Sequence, residues 1–379
     1  MRPLQKIAFL LDEFVAPSPA QQLLDRFLIG YPRDGTFHKL AGVQISAHLA
    51  VTVEANFAQR PEEYPLEVAP TVEQAVAGAD AVVIVSRRPG ALANEAFLKI
   101  ALEQAPEGGA CFVHGVLANS LAGARRFAAT AAARHIALLA GTPLSVTWRL
   151  PPVDLPPGTP LSEALIVVQV SPQAIQATPP SPPATLGGAE LQALDALLPL
   201  LERRHGGETG IRNVRFLEGK EFWRAGEKGL WSWPLLAAAL SRSHSPQGDA
   251  VRDGRTQDLV GLGLVPKLAH NPRGWLLEHH DGLRSAILIL DGVVADFNLA
   301  ARTPDGGVVS TQIFRAPPPA EHHFSRLTAV MEEFFRGGKS PWPVERQLLI
   351  AGLLETFGKP ASLTGQRVGT PALGIAYAL

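Results

Sequence analysis

A single cysteine, Cys111, stands among 379 residues. An internal disulfide framework and a cysteine-rich zinc site are thereby excluded. No apolar stretch reaches the roughly 18 uninterrupted residues that a membrane helix needs. An excess of one charge is lacking as well: 34 Lys and Arg stand against 35 Asp and Glu, a formal net charge of −1. No global field therefore selects nucleic acid or an anionic membrane as partner. Charged residues make up only 18% and apolar residues 46% of the chain, which excludes a disordered protein. Met1 leads through Arg2-Pro3 straight into a strand-like run, without an apolar signal segment. With one cysteine, that pattern gives a cytoplasmic, reducing location as the expectation.

What is present is a change of rhythm along the chain. At roughly 100–200 residues per domain, the length suits two domains. Up to about residue 150, short apolar runs alternate with helical spacing. Strands are expected at 6–11, 43–51, 81–86, 110–113 and 136–140, and helices at 19–28, 71–77, 94–104 and 121–134. Strands separated by single helices imply right-handed crossovers and a doubly wound parallel sheet. Prolines 151, 152, 156, 157 and 160 then break the pattern, and 171–188 reads as a Pro- and Ser-rich loop. An amphipathic helix is expected at 190–204. Strands at 275–280, 285–290 and 293–300 are separated by Asp281-Gly282 and Asp291-Gly292, both good hairpin turns. Helices at 323–335 and 344–357 close the chain. The expectation is a Rossmann-like α/β domain over 1–150, then an α+β domain over 151–379 with an open antiparallel sheet; the last helices are free to pack on the first domain.

Several residues are candidates for chemistry. His114 ends a central strand, where doubly wound folds place ligands, and its pKa range suits acid–base work; a hydrogen-bonded structural histidine is the plainer reading of the same pattern. Asn94-Glu95 follows a glycine-containing loop after another such strand, as a binding pair or as a helix cap. Arg242, Asp253, Arg255, Gln257 and Asp258 form a dense polar cluster, suited to a small polar ligand or to mutual salt bridges on a surface loop. Glu208 sits in Gly206-Gly207-Glu208-Thr209-Gly210, a second polar candidate whose glycines also shape a turn. Glu278-His279-His280-Asp281 and Glu321-His322-His323 bring no expected metal: neighbouring strand residues point to opposite faces, and no His-Glu-x-x-His is present.

Asp80-Ala81-Val82-Val83-Ile84, the run from Phe112 to Leu121 and the tail Gly365-Gln366-Arg367-Val368-Gly369-Thr370-Pro371 together resemble the glucose–fructose oxidoreductase / inositol dehydrogenase (Gfo/Idh/MocA) family. The likeness is to a branch that lacks its GxGxxG and Glu-Lys-Pro motifs. Residues 12–19 (Asp-Glu-Phe-Val-Ala-Pro-Ser-Pro) hold no glycine for close approach to a pyrophosphate, and two prolines remove amide donors. The resemblance places the family's lysine at Gly115. It places the family's His-x-x-Asp on Gln192-Ala193-Leu194-Asp195, so that only Asp195 survives. No cofactor is therefore expected, with NAD(P) disfavoured. Three functions compete: a diverged pseudoenzyme or small-ligand binder; an enzyme rebuilt around His114, with Asn94, Glu95 and Arg149 positioning a sugar-like substrate; and an assembly subunit. The family resemblance further implies a homodimer through the second domain's sheet.

Overall fold

The computed structural model describes residues 4–50, 55–86, 92–153, 155–169, 188–245, 258–337 and 339–379. The chain divides into two compact units, residues 1–147 with 315–351, and residues 148–314 with 352–379.

In the first unit, β1 (Lys6–Leu11) leads into helix α1 (Pro19–Leu28), and a small hairpin of β2 (Tyr31–Arg33) and β3 (Thr36–His38) follows. Then come β4 (Gln44–Leu49), α2 (Ala55–Glu63), β5 (Leu66–Val68), α3 (Val72–Val76), β6 (Ala81–Val85), α4 (Leu92–Gln104), β7 (Ala110–His114), α5 (Leu121–Ala133) and β8 (Ala137–Gly141). The strands lie in the order β5-β4-β1-β6-β7-β8, all parallel. β1, β6 and β7 are buried almost throughout, as continuous apolar runs demand when both sheet faces are covered. α1 starts well for local reasons: Ser18 accepts the Gln21 N–H at 3.2 Å, and Pro19 supplies a fixed φ where no N–H is needed. The helix His323–Phe335 returns to this unit and buries Phe324, Leu327, Met331 and Phe334 in the core that holds Phe9, Leu23 and Phe27.

The second unit carries an eight-stranded mixed sheet in the order β16-β11-β12-β13-β10-β14-β15-β9. Its strands are β9 (Arg149–Leu150), β10 (Glu163–Val168), β11 (Ile211–Glu218), β12 (His270–His279), β13 (Arg284–Asp291), β14 (Phe297–Arg302), β15 (Val308–Ile313) and β16 (Arg367–Gly369). β12 and β13 form the hairpin expected at Asp281-Gly282, with Gly282 at φ +90°. Asp291-Gly292 does not make a second hairpin. β10 lies between β13 and β14, parallel to the first and antiparallel to the second. Its six buried residues need partners on both edges, and they take the place that a local hairpin would have filled.

Both faces of the middle strands are packed within the unit. On one, Leu165, Val167, Ala286, Leu288 and Ala300 meet Phe222, Trp231 and Leu235 from the helices Gly219–Glu227 and Trp233–Leu240 and their connection. On the other, Trp275 stacks on Phe357 with ring centroids 3.9 Å apart, and the helix Ala189–Leu201 packs on β10 and β13. No helix among the described residues is long and apolar enough to cross a membrane.

Candidate functional site

The carboxyl edge of the parallel sheet gathers the first unit's candidates. The register Ile84↔Val113 sets Ser86 just beyond β6, beside the end of β7 at His114. The Ser86 hydroxyl donates to Asn94 Oδ1, with both residues about 1% exposed. Asn94 lies inside the first turn of α4, whose first residue is Leu92, so it is not the helix cap. Its buried Nδ2 has no hydrogen-bond partner. Glu95 Oε1 accepts the Asn119 N–H at 2.9 Å and so ties α4 to the loop after β7.

His114 is 6% exposed and lies against Phe324, with ring centroids 6.2 Å apart and planes 26° apart. Its Nδ1 is buried without a hydrogen-bond partner. Burial pushes the imidazole down to about 4, so it is neutral near pH 7. Gly115 follows at φ +101°, a backbone that a side-chain-bearing residue such as lysine adopts only under strain.

The remaining candidates belong to the second unit, and those among the described residues do not form one cluster. Asp195 is fully buried in the helix Ala189–Leu201. Arg149 begins β9 and donates to the Val153 carbonyl at 3.4 Å. The exposed Arg242 donates through Nε to Ser310 Oγ at 2.9 Å. Asp253 and Arg255, like Gln257, lie outside the described residues. Asp258 Oδ1 accepts the Gly261 N–H at 2.8 Å.

Glu208 is the centre of a sealed network that sequence reasoning missed. Its Oε1 accepts from His279 Nδ1 at 2.9 Å, from Thr209 N at 2.9 Å and from Gly210 N at 2.8 Å, while Arg204 bonds Oε2 at 3.0 Å. His279 Nε2 meets Ser285 Oγ at 2.8 Å. Acid, imidazole and hydroxyl are thus in relay order. Glu208 and His279 are fully buried, however, and Ser285 is 3% exposed, so the network anchors the glycine turn and offers no open nucleophile. Burial alone would raise the Glu208 carboxyl; His279 and Arg204 reverse that and hold it at about 2. A search for alternating polar residues does not find this group, because its members come from a helix end, a turn and two strands. Among the described residues no group of three or more His, Cys, Asp or Glu stands together as a metal site.

The first turn, 12–19, gives a direct fit test for a dinucleotide. Pro17 and Pro19 have no N–H, Ser18 takes the Gln21 N–H, and the fully buried Phe14 lies edge-on to Phe57 at 5.3 Å under the Arg60 guanidinium. The turn is filled by its own side chains, and the amide cradle of a pyrophosphate is not there. These residues do not fit the group in its usual seat.

No protein-family model and no curated protein sequence matches the chain. Solved structures do. GenD2 from gentamicin A biosynthesis, in complex with NAD, matches at 12% identity and TM-score 0.60 over 98% of this chain and 97% of its own. Myo-inositol dehydrogenase from Lactobacillus casei, in complex with NAD(H) and myo-inositol, matches at 14% identity and TM-score 0.56 over 97% of each chain. Biliverdin reductase from Synechocystis, in complex with biliverdin and NADP+, matches at 12% identity and TM-score 0.52 over 95% of this chain and 98% of its own. These complexes correct the expectation of no cofactor. That expectation came from three local losses, at 12–19, Gly115 and Gln192, whereas proteins sharing the whole fold hold NAD, NAD(H) or NADP+. Over both of its units, the chain has the fold of the inositol dehydrogenases and their Gfo/Idh/MocA relatives.

Proposed function

We propose that this protein binds a nicotinamide nucleotide and a small polar ligand at the carboxyl edge of its parallel sheet, with the nucleotide's diphosphate held away from the glycine-free first turn. The observation that carries this reading is the pair Asn94 Nδ2 and His114 Nδ1. Both are buried without hydrogen-bond partners, His114 at the end of β7 and Asn94 in the first turn of α4, where it bonds Ser86 just beyond the adjacent β6. Leaving such a group unsatisfied costs about 1–3 kcal/mol, which a ligand hydroxyl or carbonyl repays. Open α/β sheets hold their ligands at this edge. The nucleotide is supported by the fold neighbours that hold one, and the polar ligand by the one that holds myo-inositol.

His114 orients a ligand in this reading and does not carry its proton. An efficient acid–base group has a pKa near the working pH, and this imidazole is held at about 4. Calorimetric titration of the full chain with NAD+, NADH, NADP+ and NADPH tests the proposal. Saturable binding of at least one nucleotide is expected, weakened about tenfold by Asn94→Ala or His114→Ala, the loss of one hydrogen bond. No heat at millimolar nucleotide sinks it.

A further inference from the structure

A nucleotide whose diphosphate cannot use the first turn needs another electropositive seat at the same edge. The helix His323–Phe335 supplies one within the first unit. It is 13 residues long, its cap residue His322 makes no side-chain cap bond, and its first turn holds no acid. The N–H groups of Phe324 and Ser325 are spent on the carbonyls of Glu321 and His322, so the open end of the helix is at His322 and His323. Phe324, in that first turn, is the residue against the His114 ring, which fixes the helix end beside the end of β7.

Two further observations point to a ligand there. His323 is 3% exposed and its Nδ1, like that of His114, is buried without a partner. Positive charge also accumulates around it: burial first, then Arg315, Arg26 and His322, push the His323 imidazole down to about 3. Arg26 is committed to the fold, donating to the Ala320 carbonyl at 2.6 Å, to the Glu321 carbonyl at 3.1 Å and to Ser325 Oγ at 3.1 Å. It holds the loop before the helix in place. Arg315 is exposed at the start of that loop. Glu321 faces these cations, and burial raises its carboxyl pKa, which lessens its opposing charge. A helix amino end with cations around it and no acid in its first turn is a site for an anion.

We infer that the amino end of the helix His323–Phe335, with His323 and Arg315, receives the diphosphate of the bound nucleotide in place of the first turn. The inference rests on the nucleotide reading above and adds the seat of its charged group. Inorganic pyrophosphate, which lacks the nucleoside, is the probe that separates the two.

The test titrates the full chain with NADH, NADPH and inorganic pyrophosphate by calorimetry, for the parent, Arg315→Gln, His323→Asn and Ser18→Ala. Arg315→Gln keeps a polar side chain at its position and stands as the second variant if His323→Asn does not fold; the melting temperature of each variant is recorded beside the titration. Pyrophosphate is expected to bind the parent and to compete with the nucleotide. Arg315→Gln and His323→Asn should each weaken both ligands about tenfold or more, the worth of one charge-assisted hydrogen bond, while Ser18→Ala leaves both within about twofold, since its hydroxyl only caps α1. Nucleotide binding that ignores Arg315→Gln and His323→Asn, or that falls with Ser18→Ala alone, overturns the inference and leaves the nucleotide reading standing. Pyrophosphate binding lost in Arg315→Gln, with no nucleotide bound by the parent, supports the anion seat and overturns the nucleotide reading. A parent that binds neither overturns both.

Discussion

His279 donates its Nδ1–H to Glu208 Oε1 across 2.9 Å, joining the end of β12 to the turn that precedes β11. Both side chains are fully buried, and Arg204 closes the other carboxylate oxygen. Removing the charge at Glu208 breaks the fully buried pair and leaves the buried Arg204 with Asp281, at 2.7 Å, as its carboxylate partner. Glu208→Gln is therefore expected to cost about 3–5 kcal/mol in urea unfolding, the usual price of breaking a buried pair. A loss below about 1 kcal/mol would show that the network is not needed to hold the turn.

The same residue sets an acid limit. The folded carboxyl is held at about 2 against an ordinary 4.5, so its contribution is present above about pH 4.5 and is lost as pH falls toward 2. His114 and His323 act higher on the scale. Both are held below the ordinary 6.5, at about 4 and about 3, so the unfolded chain takes up protons first as pH falls. Their contribution is complete above about pH 6.5 and declines through pH 4. Melting temperatures measured from about pH 7.5 down to about pH 4.5 should fall, and His114→Asn should flatten that fall. A flat parent profile would show that these imidazoles are not held neutral.

Trp231 packs on Gly226, where a Cβ would overlap the indole ring. Its Nε1 donates to the Phe222 carbonyl at 3.0 Å, so the ring cannot swing away without losing that bond. Gly226→Ala should cost about 1–3 kcal/mol by overpacking. An unchanged melting temperature would mean that the tryptophan layer has room to shift.

Trp275 allows a sharper comparison. It stacks on Phe357 and lies 4.8 Å from Phe216, yet its buried Nε1 has no hydrogen-bond partner. Trp275→Ala should cost about 3–5 kcal/mol, since it empties the stack. Trp275→Phe should cost less than about 1.5 kcal/mol, because the lost area is offset by removing an unsatisfied N–H. Equal losses in the two variants would show that the indole nitrogen is satisfied after all.

Local pattern was enough for most of the first unit. β1, β6 and β7 are unbroken apolar runs, and such runs form buried parallel strands wherever helices separate them. The bounds of the helices His323–Phe335 and Val344–Phe357 were equally readable from their spacing. β10 was not. Glu163–Val168 lies between two proline-rich stretches of sequence, and its place beside β13 depends on pairing with residues more than a hundred positions away. The site divides in the same way. His114 could be found because a strand's end is visible in its own sequence. The gathering of Arg26, Arg315, His323 and His114 could not, since helix packing brings residues nearly three hundred positions apart together.

The most direct measurement is a crystal structure of the full chain grown with NADPH at millimolar concentration. The nucleotide is expected across the carboxyl ends of β1, β6 and β7, with its diphosphate away from residues 12–19 and a ligand oxygen within hydrogen-bond reach of Asn94 Nδ2 or His114. A diphosphate seated on the 12–19 turn, or crystals that bind no nucleotide at that concentration, would contradict it.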